Sequence, residues 1–148
     1  MIARIDHLNI VVSDLAQATG FFRLLGFNEG LGADLDSSFL EALTGIAGAR
    51  GRFVTLRHPA SNVAIELLQF ALDAGADPLL GRADRLGLRH LAFAVTDIDA
   101  TVAALAAHGV RFLSPVQTWR HTGKRLVYCY GPDGILLELA EYPREPTA

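Results

Sequence analysis

Two stretches of this chain run in step. Ile5-Asp6-His7-Leu8-Asn9-Ile10-Val11-Val12-Ser13-Asp14 lies near the start, and Gly87-Leu88-Arg89-His90-Leu91-Ala92-Phe93-Ala94-Val95-Thr96-Asp97 follows in the second half. With His7 set on His90, Leu8 meets Leu91, Ile10 meets Phe93, Val12 meets Val95, Ser13 meets Thr96 and Asp14 meets Asp97. Each stretch is an aliphatic strand pattern that ends at a helix-capping residue. Such a duplication points to two similar modules packed side by side. At 148 residues the two make a single domain, with module one spanning about 4–72 and module two about 86–142.

The elements between the repeats follow one plan. Asp6–Val12 reads as a strand, and Ser13 or Asp14 caps a helix through Leu25 that Gly26 stops. Leu15, Ala18, Phe22 and Leu25 form its buried face. Phe27 to about Leu31 reads as a short strand. Asp36–Gly45 reads as a helix with Ser38 and Glu41 at capping-box spacing. Arg52–Arg57 and Val63–Phe70 read as strands around a turn, and 71–86 as a linker. In the second half Asp97 caps a helix with Ile98, Thr101, Val102 and Leu105 inward, stopped by Gly109. Val110–Leu113 reads as a short strand and Ser114–Gly123 as a loop. Arg125–Tyr130 and Ile135–Ala140 form a hairpin around Gly131-Pro132-Asp133-Gly134, before a polar tail over 143–148. The order is β-α-β-β-β, twice, in the α+β class.

Strands alternate their faces. Leu8, Ile10 and Val12 oppose His7, Asn9 and Val11; Leu91, Phe93 and Val95 oppose His90, Ala92 and Ala94. The last strand of each half puts Glu66 and Glu138 opposite Ile65/Leu67 and Leu137/Leu139. A carboxylate among aliphatic residues is costly unless paired or metal-bound. Taken singly, each His or Glu is an ordinary satisfied or solvent-facing residue. Four at matching positions of a duplicated unit point to a metal site or an acid–base site.

These same residues resemble the vicinal oxygen chelate superfamily, which includes glyoxalase I, methylmalonyl-CoA epimerase, extradiol dioxygenases, fosfomycin-resistance thiol transferases and bleomycin-resistance proteins. The matching pieces are Asp6–Leu15, Ile65-Glu66-Leu67, His90–Ile98, and Gly131-Pro132-Asp133-Gly134 leading to Leu137-Glu138-Leu139. The resemblance implies two tandem βαβββ modules forming a curved mixed sheet around a metal-binding cleft. It assigns His7, Glu66, His90 and Glu138 to one divalent metal ion (Zn, Ni, Co, Mn or Fe), a pattern most similar to glyoxalase I. The stretch from Asp34 to Gly51 lies outside the shared pattern.

On that basis Glu66 or Glu138 takes a proton next to a carbonyl of a small substrate with adjacent oxygens, and the metal stabilises the resulting negative charge. The activity implied is that of a lyase or isomerase of glyoxalase or epimerase type. A competing reading is an extradiol dioxygenase using His7, His90 and Glu138, with Tyr128 on the substrate; Glu66, as a fourth ligand, counts against it and against a thiol transferase. A third is a metal-free protein that sequesters a small molecule, as bleomycin-resistance proteins do; retention of all four ligands counts against that. Asn9, Thr55 and Tyr128 are expected to line the site, and Trp119, Arg120 and His121 to close over substrate from a loop. Arg52 and Arg125, at matching strand starts, are expected at solvated strand ends, with contact to an anionic group as the alternative, and His58 and His108 at the surface.

The formal net charge of -3 provides no basic footprint for nucleic acid, and no apolar run reaches the length of a membrane span. With no secretory leader in view and Cys129 as the only cysteine, a buried one, the setting expected is reducing and cytoplasmic. Related proteins usually dimerise, so a homodimer is expected.

Overall fold

The computed structural model describes residues 1–72 and 75–143. The chain divides into two compact units, Met1–Ala76 and Asp77–Ala148. Of the expected linker, residues 73 and 74 lie outside the described residues, as does the tail beyond Pro143.

The first unit runs β1 (His7–Val11), α1 (Leu15–Leu24), β2 (Asn28–Leu35), α2 (Ser37–Thr44), β3 (Gly51–Arg57) and β4 (Ala64–Phe70). Its sheet has the order β1-β4-β3-β2. The second runs β5 (His90–Ala94), α3 (Ile98–Ala107), β6 (Gln117–Thr118), β7 (Arg125–Tyr130), a 3-10 turn (Pro132–Gly134) and β8 (Leu136–Glu141), with the order β5-β8-β7-β6. β1 pairs parallel with β4, and β5 with β8; the other pairs are antiparallel. Both units are therefore mixed four-stranded sheets, and the βαβββ plan appears twice, with α2 added to the first.

The helices begin by one device in both units. Asp14 Oδ1 accepts from the Gln17 N–H and Asp97 Oδ1 from the Ala100 N–H, each at 2.9 Å. Asp14 rather than Ser13 is thus the first cap. A second acceptor comes from the last strand. Gln69 Oε1 takes the Leu15 N–H at 3.2 Å, and Glu141 Oε2 takes the Ile98 N–H at 2.9 Å. Gln69 and Glu141 each stand three residues beyond the matched glutamates. Arg52 donates to Gln69 from Nη2 at 3.1 Å; Arg125 makes a forked pair with Asp99 at 2.7 and 2.9 Å and reaches Glu141 at 3.5 Å. Arg52 thus stands at an exposed strand end with a neutral partner, as expected, while Arg125 meets the anionic alternative in Asp99 and Glu141. The forked pairing holds the Asp99 carboxyl below its ordinary range.

The apolar faces pack as the alternation predicts. Phe22, Leu56 and Leu67 are fully buried in the first unit, and Ile98 and Leu139 in the second. On α1 the buried residues are Ala18, Thr19 and Phe22, while Leu15 and Leu25 are partly covered. On α3 they are Ile98 and Leu105, while Thr101 and Val102 are partly covered. Cys129 is buried, which pushes its thiol up to about 11.

Several local expectations are corrected. β2 extends to Leu35; its Gly30 and Gly32 hide a strand from propensity, and its pairing with β3 shifts between Glu29 and Gly32. Asp36, not Ser38, caps α2: its Oδ1 accepts from the Phe39 N–H at 3.0 Å while the Ser38 hydroxyl donates to it at 2.6 Å. Glu41 accepts instead from the Gly48 N–H at 2.8 Å. Gly45 closes α2 in the left-handed conformation (φ 72), which glycine adopts without steric cost. Val110–Leu113 forms only a bridge between Phe112 and Cys129. Pro115, which has no N–H to donate, lies in the gap before the pairing with β7 resumes at Gln117. The loop after it contains β6. His58 is only half-exposed; its ring packs on Phe27, with centroids 5.2 Å apart. Among the described residues no helix is long and apolar enough to cross a membrane.

Candidate functional site: two histidine–glutamate pairs

Strand register assembles each pair. In the first unit β1 lies parallel to β4 with Asn9 opposite Glu66, and β3 lies on the other side with Thr55 opposite Glu66. In the second unit Ala92 and Tyr128 hold those positions beside Glu138. Glu66 and Glu138 therefore sit on the central strand of three, flanked by the matched histidine strand and by the hairpin partner.

His7 Nε2 stands 3.9 Å from Glu66 Oε1, and His90 Nε2 stands 3.5 Å from Glu138 Oε2. The same ring nitrogen faces the same carboxylate in both units. His7 Nδ1 lies 3.1 Å from Asp6 Oδ2. With its proton donated there, the Nε2 lone pair is directed towards Glu66. A lone pair facing a carboxylate oxygen is unfavourable unless a proton or a cation comes between them. The Asp6 carboxyl is held below its usual range by hydrogen bonds from Arg4 and then His7, and so remains an acceptor. In metal sites a carboxylate behind a ligating imidazole commonly fixes its tautomer and ring orientation.

Imidazole nitrogen and carboxylate oxygen are donor types that a divalent ion takes. Two donors about 2.1 Å from a common ion stand about 3–3.5 Å apart at right-angle to tetrahedral geometry. The His90–Glu138 separation lies at the edge of that range, and His7–Glu66 is slightly wider. Imidazole nitrogen with carboxylate oxygen suits zinc and the later first-row metals. Each pair is a two-member group; among the described residues no group of three or more His, Cys, Asp or Glu suited to a metal forms.

The two glutamates have different surroundings. Glu66 is part-exposed at 28% and accepts from the neutral Asn9 amide, Nδ2 to Oε1, at 2.9 Å. The Glu138 side chain is 7% exposed and accepts from the Lys124 ammonium, Nζ to Oε1, at 2.8 Å. Sequence reasoning placed no role on Lys124, which fell between the expected loop and the expected hairpin. Strand parity is the signal that finds it, because 124, 126 and 128 share the Tyr128 face. Lys124 also lies over the Tyr142 ring, 5.2 Å from its centroid. Its hydrogen bond to Glu138, foremost, holds its ammonium above the ordinary lysine range.

The other expected site residues divide into two groups. Asn9, Thr55 and Tyr128 are brought beside the glutamates. The Tyr128 ring lies 5.2 Å from that of His90, and its hydroxyl is pushed up by burial, with the charge of Glu138 adding to the effect. Trp119, Arg120 and His121 are exposed in the turn between β6 and β7. Trp119 and His121 meet edge to face at 5.8 Å, and the Trp119 N–H donates to the Lys124 carbonyl at 2.8 Å. That turn is joined to the Glu138 pair through Lys124.

Comparison with known proteins agrees with this architecture. The family model for the Glyoxalase/Bleomycin resistance protein/Dioxygenase superfamily matches residues 4–139. The uncharacterized protein YaeR of Escherichia coli K12 is 32% identical over 139 residues, covering 93% of this chain and 95% of that one. A 59-residue stretch is 37% identical to glyoxalase I of Saccharomyces cerevisiae, covering 40% of this chain and 18% of that enzyme. A glyoxalase family protein from Bacillus cereus superposes with a TM-score of 0.88 at 28% identity, covering 97% of both chains. The chain belongs to the glyoxalase/bleomycin resistance protein/dioxygenase superfamily, the vicinal oxygen chelate proteins.

Proposed function

We propose that the protein is a divalent-metal-dependent lyase or isomerase, of glyoxalase or epimerase type, acting on a small substrate with vicinal oxygens. The observation that carries this reading is the repeated pair: Nε2 of a strand histidine facing a glutamate carboxylate in each unit, at 3.9 and 3.5 Å. His7 and Glu66 with His90 and Glu138 would hold the ion. When bound, the metal supplies Lewis-acid polarisation of the substrate oxygens and favours negative charge on them.

The chain's own residues do the rest. One glutamate takes the proton from the carbon next to the carbonyl; the C–H electron pair moves into the carbon–carbon bond and the carbonyl π pair moves onto oxygen. The resulting carboxylic acid gives the proton to the neighbouring carbon while the hydroxyl proton passes from one substrate oxygen to the other, so that carbonyl and hydroxyl exchange places and the glutamate is a carboxylate again; in an epimerisation the other glutamate, as the acid, protonates the same carbon from its opposite face as the carbonyl re-forms. Asp6 fixes the His7 tautomer. Asn9 and Lys124 orient the carboxylates. Thr55 and Tyr128, opposite the glutamates, are the nearest side chains for substrate contacts, and Trp119, Arg120 and His121 form an exposed turn suited to covering a ligand. As in the superfamily, whose members commonly bind small molecules and often dimerise, the protein would act as a homodimer.

The contact of Tyr128 with both His90 and Glu138 favours, as a second reading, an extradiol dioxygenase. One experiment separates the readings. Protein purified without added metal, then reloaded, is analysed for metal and offered α-hydroxycarbonyl, acyl-CoA, hemithioacetal and catechol compounds. Proton exchange in D2O without oxygen uptake supports the proposal. Oxygen uptake with ring opening overturns it in favour of the dioxygenase. A metal-free protein whose ligand binding ignores chelator would be a sequestration protein.

A further inference from the structure

We propose that Trp119 and Tyr142 form an aromatic subsite on the sheet of the second unit, which takes a planar aryl group at the far end of a ligand whose polar head lies at Glu138. This rests on the reading above that Glu138 marks a ligand site, and it deepens that reading by naming the class of substituent accepted there.

Strand register places the two rings. Thr118 pairs with Arg125, and Arg125 with Glu141. One step further out, the Trp119 N–H donates to the Lys124 carbonyl, and the Lys124 ammonium lies 5.2 Å from the centre of the Tyr142 ring. Trp119, Lys124 and Tyr142 therefore make one cross-strand row, and residues opposed in this way project from the same face. That face is the one carrying Glu138, because 124 and 128 share it on β7 and 138 and 142 share it on β8. The row between holds Gln117, Leu126, Ala140 and Ala94. Its two alanines keep the sheet surface low between the rings and the carboxylate. Lys124 leaves the gap open, because its ammonium is drawn along the sheet to Glu138 Oε1. Its methylene stem floors the gap between the two rings.

Both rings are held in place, and both are open to a ligand. Trp119 is 53% exposed and Tyr142 60%. His121 meets Trp119 edge to face, and the Gly123 N–H donates to the Trp119 carbonyl at 2.8 Å. A Cβ on Gly123 would stand 3.2 Å from Pro143 Cγ, so the turn that carries Trp119 runs against the segment that carries Tyr142. The first unit builds the matching row from Leu35, Gly51 and Phe70. There Leu35 and Phe70 are part-buried, and Gly51 has no room for a side chain, because a Cβ would collide with the Gln69 carbonyl oxygen. Only the second unit leaves the outer members of this row exposed. Strands two apart stand roughly 9.5 Å from each other, which leaves space for one planar ring needing about 3.5 Å on each side. A protein partner would need about 800 Å² of surface, far more than two half-exposed rings provide. Aromatic walls also favour an aryl ring over a saturated ring of the same size, through stacked and edge-to-face contacts.

Trp119 is the only tryptophan in the chain, so its emission reports on the subsite directly. The full chain loaded with Zn(II) is titrated with phenylbutyrohydroxamate and with cyclohexylbutyrohydroxamate, each with its ring at the chain end. The two probes share head and spacer and differ in the planarity of the ring. The phenyl probe is expected to bind about tenfold tighter and to change the tryptophan emission saturably. That preference is expected to fall below about twofold in Trp119→Leu and in Tyr142→Leu, and to survive in Trp119→Phe and Tyr142→Phe. Equal affinity of the two probes for the wild-type chain would overturn the proposal. So would a preference undiminished in either leucine variant, or a phenyl probe that does not bind. Failure of the metal-dependent reading shows separately: probe binding that a chelator leaves unchanged removes that reading, while the phenyl preference and its loss in the leucine variants still decide the subsite.

Discussion

The Lys124–Glu138 pair has a stability signature that needs no substrate. Lys124→Met keeps an unbranched apolar stem as far as the ε position but removes the ammonium 2.8 Å from Glu138 Oε1. Opposite charges about 4 Å apart attract by about 4 kcal/mol at an effective dielectric of about 20. Breaking a fully buried pair costs about 3–5 kcal/mol, mostly because a charge is left without a partner. Here the lysine side chain is 20% exposed, and Tyr128 and His90 remain beside the carboxylate, so the expected loss is nearer to about 2 kcal/mol. For a chain of this size that lowers Tm by about 4–8 °C. The ammonium has a folded pKa raised above its unfolded value, first by the Glu138 hydrogen bond. Its contribution is therefore fully present below the unfolded value of about 10.4 and is lost as pH rises through the raised folded value. Denaturant unfolding of both proteins between pH 7 and pH 11.5 measures this. The gap is expected to stay constant to about pH 9.5 and to narrow above the lysine range. A gap under about 0.5 kcal/mol at pH 7, the level of an exposed pair, would refute the reasoning. So would a gap that persists unchanged at the alkaline end.

Three further outcomes are expected. His90→Ala loses stoichiometric metal, as measured by elemental analysis after reloading, while its circular dichroism stays native because the residue is not part of the apolar core. Asp14→Ala and Asp97→Ala each remove a helix cap and lower unfolding free energy by about 1 kcal/mol, read from urea titration; the effects add because each cap acts within its own unit. Cys129, buried with its thiol pushed up to about 11, does not react with a disulfide reagent at pH 8 in the folded protein and reacts at once in guanidinium.

Much of the fold was legible because its signals are local. A strand that buries one face alternates, and a helix that starts at Asp14 or Asp97 needs an acceptor for its first free N–H groups. Those requirements wrote the βαβββ plan into the chain twice and put His7 with Glu66, and His90 with Glu138, on corresponding strands. β2 was read short because an edge strand with two glycines carries little strand propensity. The wrong cap on α2 came from a spacing rule that Ser38 satisfies, although Asp36 has the better-placed oxygen. The particular partners of Arg52 and Arg125 were not legible, because nothing in their neighbourhoods along the chain names Gln69, Asp99 or Glu141.

The sequence by itself determined which residue types recur and on which face of which strand, since both follow from periodicity along one element. Only the tertiary structure decided what each carboxylate touches. Register between strands sets that, and it brings together residues such as Asn9 and Glu66 that are far apart in the chain. A repeat in sequence suggests two equivalent glutamates. In the folded units a lysine faces one and an amide the other, and the glycine at the matching position has no room for a side chain. That inequivalence is a property of packing, because a charge is stabilised by what lies within a few ångströms of it and not by its place in a pattern.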